Sequence, residues 1–217
     1  MHADSRDLVG MALRATAALG DIRTLDSLLT RIEAMRPSPN GRPLANWLLT
    51  TAGELAYHGH RADAERVIRR AGEWQRTHPI ESTPFWNASF ELARTFYFLG
   101  EYRDAGRLLD SLIATEPQNP FYLAYAAASE AGAGNATTAA ALRHRLDALT
   151  RPFDQGQPPY ARALVAAELG DSSRAVTLLR HSLERGMPPD HFSIHADLML
   201  ARLRGNAQFE QLLRPKD

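Results

Sequence analysis

The sequence contains no cysteine and has no excess of either charge. Without cysteine among its 217 residues, disulfide bonds, thiolate nucleophiles and cysteine-based zinc sites are excluded. The 25 lysine and arginine residues are balanced by 25 aspartate and glutamate residues. Because the formal net charge is zero, the chain as a whole has no electrostatic attraction to nucleic acid or to an anionic membrane.

Long apolar runs and strand patterns are also missing. No apolar run approaches the roughly 18 residues that a membrane helix needs. Residues 1–20 lack the basic stretch and unbroken apolar stretch of a secretory signal, so we expect a cytoplasmic protein without a membrane segment. No segment alternates in the manner of a strand, whereas alanine and leucine, which favour helices, are abundant. The sequence therefore predicts an all-α fold.

Glycine recurs along the chain at a nearly constant interval. Each of these glycines follows one stretch with helical apolar periodicity and precedes another, and glycine suits the left-handed residue that ends a helix. The recurrence predicts a series of helical hairpins, each turning at a glycine. The six positions are Gly20, Gly59, Gly100, Gly134, Gly170 and Gly205.

Alignment on these glycines supports a repeat. The fifth residue after the glycine is alanine in four of the first five cases, as expected where two helices approach closely: Leu25, Ala64, Ala105, Ala139 and Ala175. One domain over 1–217 is predicted, with repeats near 5–37, 44–79, 84–117, 120–152 and 159–188 and a C-terminal cap over 190–217. The predicted helices lie near 5–19, 22–35, 44–58, 61–77, 84–99, 102–116, 120–132, 136–150, 159–169, 172–185, 191–203 and 207–213.

The third repeat carries the most specific pattern. Residues 85–120 place Ala93, Gly100, Tyr102 and Ala105, followed by Pro117, in an order that resembles the tetratricopeptide repeat, a helix–turn–helix unit of roughly 34 residues. The resemblance implies an α-α superhelix, a tetratricopeptide-like solenoid, of about five helical hairpins and a C-terminal helical pair. It also implies a non-catalytic scaffold for protein–protein interaction.

The last residues are similar to the C-terminal ending of bacterial multidomain signalling proteins whose tails are tetratricopeptide arrays, often behind a Ser/Thr kinase domain. That ending usually carries Asp-Pro, whereas this chain has Asp197 followed by Leu198. No glycine-rich nucleotide loop or His-Arg-Asp catalytic loop is present. The resemblance implies a regulatory or signalling module that is not itself an enzyme, either an excised tail or a free-standing relative.

In a tetratricopeptide stack the first helix of each hairpin lines a concave groove, and the resemblance implies the residues that would face a peptide there. Arginine and asparagine hold backbone or carboxylate groups, while aromatic rings supply rigid contact area. The chain does not match the two-carboxylate clamp of some chaperone-binding relatives, because Thr50 and Glu91 occupy two of its positions. The implied peptide-binding residues are Arg14, Asn46, Asn87, Phe90, Arg94, Tyr97, Phe121 and Tyr160.

Other interpretations remain open from the sequence. The aromatic residues of this set could pack between repeats, and Arg94 could be a solvated charge. His191 and His195 would share a helix face and could bind a metal in a sensor or enzyme, but a third ligand is lacking, so no metal or cofactor is expected. The terminal helix could mediate self-association. We expect a protein or peptide partner, no nucleic acid, and a monomer or weak homo-oligomer.

Overall fold

The computed structural model describes residues 6–36, 40–78, 86–150, 154–187 and 194–214. Within these ranges the regular elements are helices that pack in adjacent pairs, which confirms the predicted all-α helical-repeat class. The chain forms two compact units, Met1–Leu99 and Gly100–Asp217. The single-domain organisation stays a prediction. Each helix of the described ranges is too short or too polar to cross a bilayer.

The first unit contains the first five helices. They are α1 Arg6–Leu19, α2 Ile22–Ala34, α3 Leu44–Tyr57, α4 Arg61–Thr77 and α5 Ala88–Phe98. Helix α1 packs against α2 and α3, and α3 packs against α4 and α5. Helices α1 and α3 therefore each contact both the second helix of their own pair and the next leading helix, which is the arrangement of stacked repeats.

The second helix of a pair follows its predicted amphipathic pattern. Asp21 caps α2 by accepting a hydrogen bond from the backbone N–H of Thr24 at 3.1 Å. Leu25, Leu29 and Ile32 are fully buried on one face of the helix. The six repeat glycines have positive φ, as predicted, with φ of 78° at Gly100. A side chain there would be forced into the left-handed region.

The second unit contains the remaining elements. They are α6 Tyr102–Thr115, α7 Pro120–Gly132, α8 Ala136–Asp147, α9 Gln157–Glu168, α10 Ser172–Glu184, the 3-10 helices Ile194–Ala196 and Leu198–Leu203, and α11 Ala207–Leu213. Helix α7 packs against α6, α8 and α9, and α9 packs against α10. Of the aligned alanines in this unit, Ala105 and Ala175 are fully buried, as expected for close helix contacts, whereas Ala139 is partly exposed.

The predicted helix over 191–203 is not a continuous α-helix. Residues 191–193 lie outside the described ranges, and the remainder forms two 3-10 helices separated by Asp197. Asp197 is extended, with φ −68° and ψ 119°, and its Oδ1 accepts a hydrogen bond from the N–H of Met199 at 2.9 Å. A proline after Asp197 would interrupt the helix at this point. Here the capping hydrogen bond of Asp197 produces the interruption without a proline.

Candidate functional site

A cluster of charged and aromatic side chains lies on the leading helices of the first unit. It is formed by residues of α1, α3 and α5 and of the segments directly before α3 and α5. We call it the α1–α3–α5 surface and define it by Arg14, Arg42, Asn46, Trp47, Glu54, Trp86, Phe90, Glu91 and Arg94. Helix α3 contacts both α1 and α5, so these residues belong to one packed set.

Two buried carboxylates hold two of the arginines in place. Arg14 of α1 bonds to Oε1 of Glu54 on α3, from Nη2 at 2.5 Å and from Nε at 3.2 Å. On α5, Arg94 bonds from Nη1 to Oε2 of Glu91 at 2.9 Å. Glu54 and Glu91 are buried, whereas the Arg14 and Arg94 side chains keep 25% and 19% of their surface exposed. Because a buried carboxylate needs a compensating charge, each pair fixes a partly accessible guanidinium.

Asn46 links α3 to α5. Its Nδ2 donates to Oε1 of Glu91 at 3.3 Å, and the residue is buried. Its Oδ1 is also buried and has no hydrogen-bond partner in the described part of the chain. The amide orientation follows from Glu91, because the reverse orientation would place two acceptor oxygens together. Asn46 thus positions Glu91 and, through it, Arg94.

Asp7 fixes the segment in front of α3. Its Oδ1 accepts hydrogen bonds from Nε1 of Trp47 at 3.1 Å and from the backbone N–H of Arg42 at 3.3 Å. The indole of Trp47 lies over Gly10 of α1, where a Cβ would stand 2.2 Å from Cδ2 of the ring. A glycine in the middle of α1 is therefore required by the close approach of this indole.

Arg42 lies between two tryptophans. Its Cζ is 5.0 Å from the ring centroid of Trp47 and 5.1 Å from that of Trp86, both within the range of cation–π attraction. Burial, followed by the positive charge of Arg14, lowers the pKa of the Arg42 guanidinium, while Asp7 and Glu91 act in the opposite direction. The side chain is partly buried and makes no hydrogen bond or ion pair to any described residue.

The other predicted peptide-binding residues on α5 and at its start differ in how exposed they are. Asn87 is exposed and caps α5, accepting from the N–H groups of Ser89 and Phe90 at 3.0 and 3.2 Å. Helix α5 therefore begins at Ala88, later than the predicted start near residue 84. The partly exposed ring of Phe90 lies 5.9 Å from Cζ of Arg94. Tyr97 is buried, so its ring is not accessible to a ligand as the resemblance implied.

The prediction that Tyr160 faces a ligand is corrected by its burial. Tyr160 is fully buried, and its hydroxyl donates to Oδ2 of Asp197 at 2.8 Å. Its ring lies 6.3 Å from that of Phe121, which is partly exposed. Both residues belong to the second unit, so Tyr160 stabilises the C-terminal segment instead of forming an accessible contact surface.

A cavity of about 220 Å³ lies among α8, α9 and α10 of the second unit. Two of the three arginines that line it, Arg162 and Arg174, are paired within the chain. Arg162 donates to the carbonyl oxygens of Leu146, Asp147 and Leu149 at 2.7–3.1 Å, and Arg174 pairs with Asp147 at 3.1 Å. These contacts satisfy the C-terminal carbonyls of α8, so the cavity has a structural explanation.

Sequence reasoning missed Arg42, Trp47, Trp86 and the role of the two buried glutamates. Two of the three tryptophans, Trp47 and Trp86, are separated by about one repeat, and this recurrence was the available signal. The basic residues Arg66 and Arg70 pair with Asp26 and Glu33 across α2 and α4. His191 lies outside the described ranges, within which no group of three or more metal-ligating side chains occurs.

Comparison with known proteins does not place the chain in a family. No protein-family model matches the sequence, and no curated protein or solved structure matches it significantly. The tetratricopeptide resemblance and its kinase-associated variant therefore stay predictions from the repeat pattern.

Proposed function

We propose that this chain is a non-catalytic protein-interaction module that binds an extended peptide segment of a partner protein on the α1–α3–α5 surface. The observation that carries the proposal is the pair of partly exposed arginines held in place by buried carboxylates. Arg14 and Arg94 are fixed by Glu54 and Glu91 before any ligand arrives. Preorganisation of this kind lowers the entropic cost of binding.

The dimensions of the surface suit a short extended peptide. Neighbouring helices pack about 8–10 Å apart, so three leading helices span about 20 Å. An extended chain covers that distance with about six residues. Partly exposed Phe90 supplies rigid apolar contact, and the guanidiniums supply donors for ligand carbonyl or carboxylate groups. A regulatory or signalling assembly is the setting that the resemblance implies.

The test is selection from a random peptide library by the immobilised full chain, followed by binding measurements with enriched peptides. The double variant Arg94→Gln with Glu91→Gln removes the pair while keeping net charge and shape, because breaking only one partner would leave a buried charge. We expect affinity to fall by about tenfold or more.

The matched control is Arg66→Gln with Asp26→Asn, which removes a comparable pair between α2 and α4. This pair is exposed, so neither folding nor peptide binding should change. Absence of any enriched peptide, or equal affinity in both double variants, would contradict the proposal.

Self-association through α1 is a second candidate. Leu8, Met11 and Leu19 are exposed on this helix, and Leu19 keeps 84% of its surface accessible. Exposed apolar side chains on one helix mark interaction surfaces when they are contiguous. Light scattering over a concentration series should show dimers that Met11→Lys abolishes; a monomer at all concentrations excludes this candidate.

A further inference from the structure

Arg42 differs from the other two arginines of the α1–α3–α5 surface. Arg14 and Arg94 are paired with buried glutamates, whereas the Arg42 side chain has no hydrogen-bonding or ionic partner in the described ranges. The rings of Trp47 and Trp86 lie within cation–π distance of its guanidinium carbon. A guanidinium carries five N–H donors at its edges, and these are the groups that still need acceptors.

We propose that Arg42 binds a single carboxylate group of the peptide ligand at the edge of its guanidinium, between Trp47 and Trp86. This inference rests on the proposed function and names the ligand group that anchors the peptide. A carboxylate matches the fork of a guanidinium in a bidentate, charge-assisted arrangement. Arg42 precedes α3, so the anchor does not use the positions of the two-carboxylate clamp that this chain fails to match.

The surrounding charges favour one negative charge. Arg14, Arg42 and Arg94 are balanced by Glu54, Glu91 and Asp7, so this cluster is formally neutral before a ligand binds. Burial and nearby Arg14 make the charged form of Arg42 costly, as the lowered pKa of its guanidinium reflects. One carboxylate offsets this cost. A phosphate monoester carries a charge of about −1.5 to −2, so Asp7 and Glu91 repel it more strongly than they repel a carboxylate.

The surroundings of the Arg42 guanidinium are held in place. A single oxygen of Asp7 accepts from both the indole of Trp47 and the backbone N–H of Arg42, so the ring and the backbone of Arg42 are fixed relative to each other. Gly10 allows the indole to lie directly on α1. Because Trp47 is buried, its ring cannot turn away when a ligand approaches. Trp47 therefore has little side-chain entropy left to lose on binding.

Defined probes test the inference on the full chain. Acetyl-Ala-Glu-Ala-amide carries a side-chain carboxylate, the free acid of acetyl-Ala-Gln-Ala carries a terminal one, and acetyl-Ala-Gln-Ala-amide carries none. Inorganic phosphate is the fourth probe. Each is titrated while the indole N–H signals of Trp47 and Trp86 are followed by NMR, because both rings adjoin the proposed site.

We expect saturable shifts of both indole signals with at least one carboxylate probe, and the responding probe identifies the source of the carboxylate. Affinity should fall by about tenfold or more in Arg42→Gln, because a charged hydrogen-bonding partner is lost. The variant Arg42→Lys keeps the positive charge but loses the two parallel N–H donors of the guanidinium. Its affinity should lie between those of the natural chain and Arg42→Gln. Unchanged dispersion of the other signals shows that the variants fold; if Arg42→Gln fails to fold, Arg42→Lys decides.

Three results would overturn the inference: no saturable shift with either carboxylate probe, equal shifts with the neutral peptide or phosphate, or unchanged affinity in Arg42→Lys and Arg42→Gln. The control pair Arg66→Gln with Asp26→Asn should bind the probes as the natural chain does. If library peptides bind but neither their carboxylates nor Arg42 matter, the proposed function stands and this inference fails. If no library peptide is enriched yet the probes bind at Arg42, the proposed function fails instead.

Discussion

At the scale of single residues, Gly10 shows how one missing side chain shapes the candidate site. A glycine inside a helix is usually destabilising by about 1 kcal/mol relative to alanine. Here the indole of Trp47 occupies the space that a Cβ would need. The same ring adjoins Arg42, so the packing of α1 and the position of the proposed anchor depend on one glycine.

We predict that Gly10→Ala destabilises the chain although alanine favours helices. The added methyl group would meet the rigid indole of Trp47 at 2.2 Å, and such overpacking costs about 1–3 kcal/mol. The matched control is Gly72→Ala in α4, where the nearest atom is Cδ1 at the flexible end of Leu99. Urea unfolding should place Gly10→Ala clearly below Gly72→Ala; equal midpoints would show that the indole moves freely.

Asp110 provides a pH-dependent prediction. Asp110 is exposed, but partial desolvation, and secondarily the charge of Glu130, raises the pKa of this carboxyl group above 3.8. The ionised form is therefore less favourable in the folded chain than in the unfolded chain. Its unfavourable contribution is complete above the raised pKa and disappears as pH falls towards 3.8 and below.

We accordingly expect Asp110→Asn to increase stability at neutral pH, with a gain over the natural chain that shrinks as pH falls through the raised pKa. Urea midpoints measured from pH 7 downwards test this. The exposed Glu65→Gln should leave the midpoint at pH 7 unchanged. A loss of stability at neutral pH in Asp110→Asn would show that the carboxylate makes a favourable contact.

At the scale of helices, equivalent positions in the repeats have different surroundings. Arg14 and Arg94 both lie six residues before a repeat glycine, and both are partly exposed beside a buried glutamate. Phe90 and Tyr160 both lie ten residues before one, yet Phe90 is partly exposed and Tyr160 is fully buried. The difference arises because the C-terminal segment with Asp197 packs onto α9 and covers Tyr160.

The interruption between the two 3-10 helices, just before Leu198, gives a second prediction at the scale of helices. Asp197 has the extended backbone that a residue before proline requires, and Leu198 occupies the first position of a 3-10 helix. The N–H of Leu198 makes no hydrogen bond in the described ranges. We therefore expect Leu198→Pro to change the unfolding free energy by less than about 1 kcal/mol.

Its control is Leu200→Pro, which removes an N–H that donates to the carbonyl oxygen of Asp197 at 3.0 Å. That change should cost about 3 kcal/mol or more, because a hydrogen bond and a buried side chain are both lost. Thermal or urea unfolding compares the two. The related C-terminal endings usually carry Asp-Pro at this point. Severe destabilisation by Leu198→Pro would show that the backbone of this chain does not accept that Asp-Pro pair.

At the scale of the whole molecule, charge balance limits the kinds of partner. Equal numbers of acidic and basic residues leave no net field, and Arg66 and Arg70 are paired with carboxylates. We predict that the chain is not retained on heparin or duplex DNA at neutral pH and about 0.15 M salt, where screening is effective beyond about 8 Å. Retention that is lost in Arg66→Gln with Arg70→Gln would identify a polyanion site and contradict this expectation.

Local sequence patterns predict the turns at the repeat glycines and most of the helices, whereas the α-helix predicted over 191–203 is replaced by two 3-10 helices within residues 194–203. Glycine spacing and apolar periodicity act locally, so the roles of Gly100 and Ala105 could be assigned without knowing what packs against them. Which side chains remain accessible depends on the tertiary packing. Tyr160 is buried by a distant aspartate, and Arg42 meets Trp47 and Trp86 only because α1, α3 and α5 pack together. Burial and pairing depend on contacts between residues far apart in sequence, and a local pattern does not contain them.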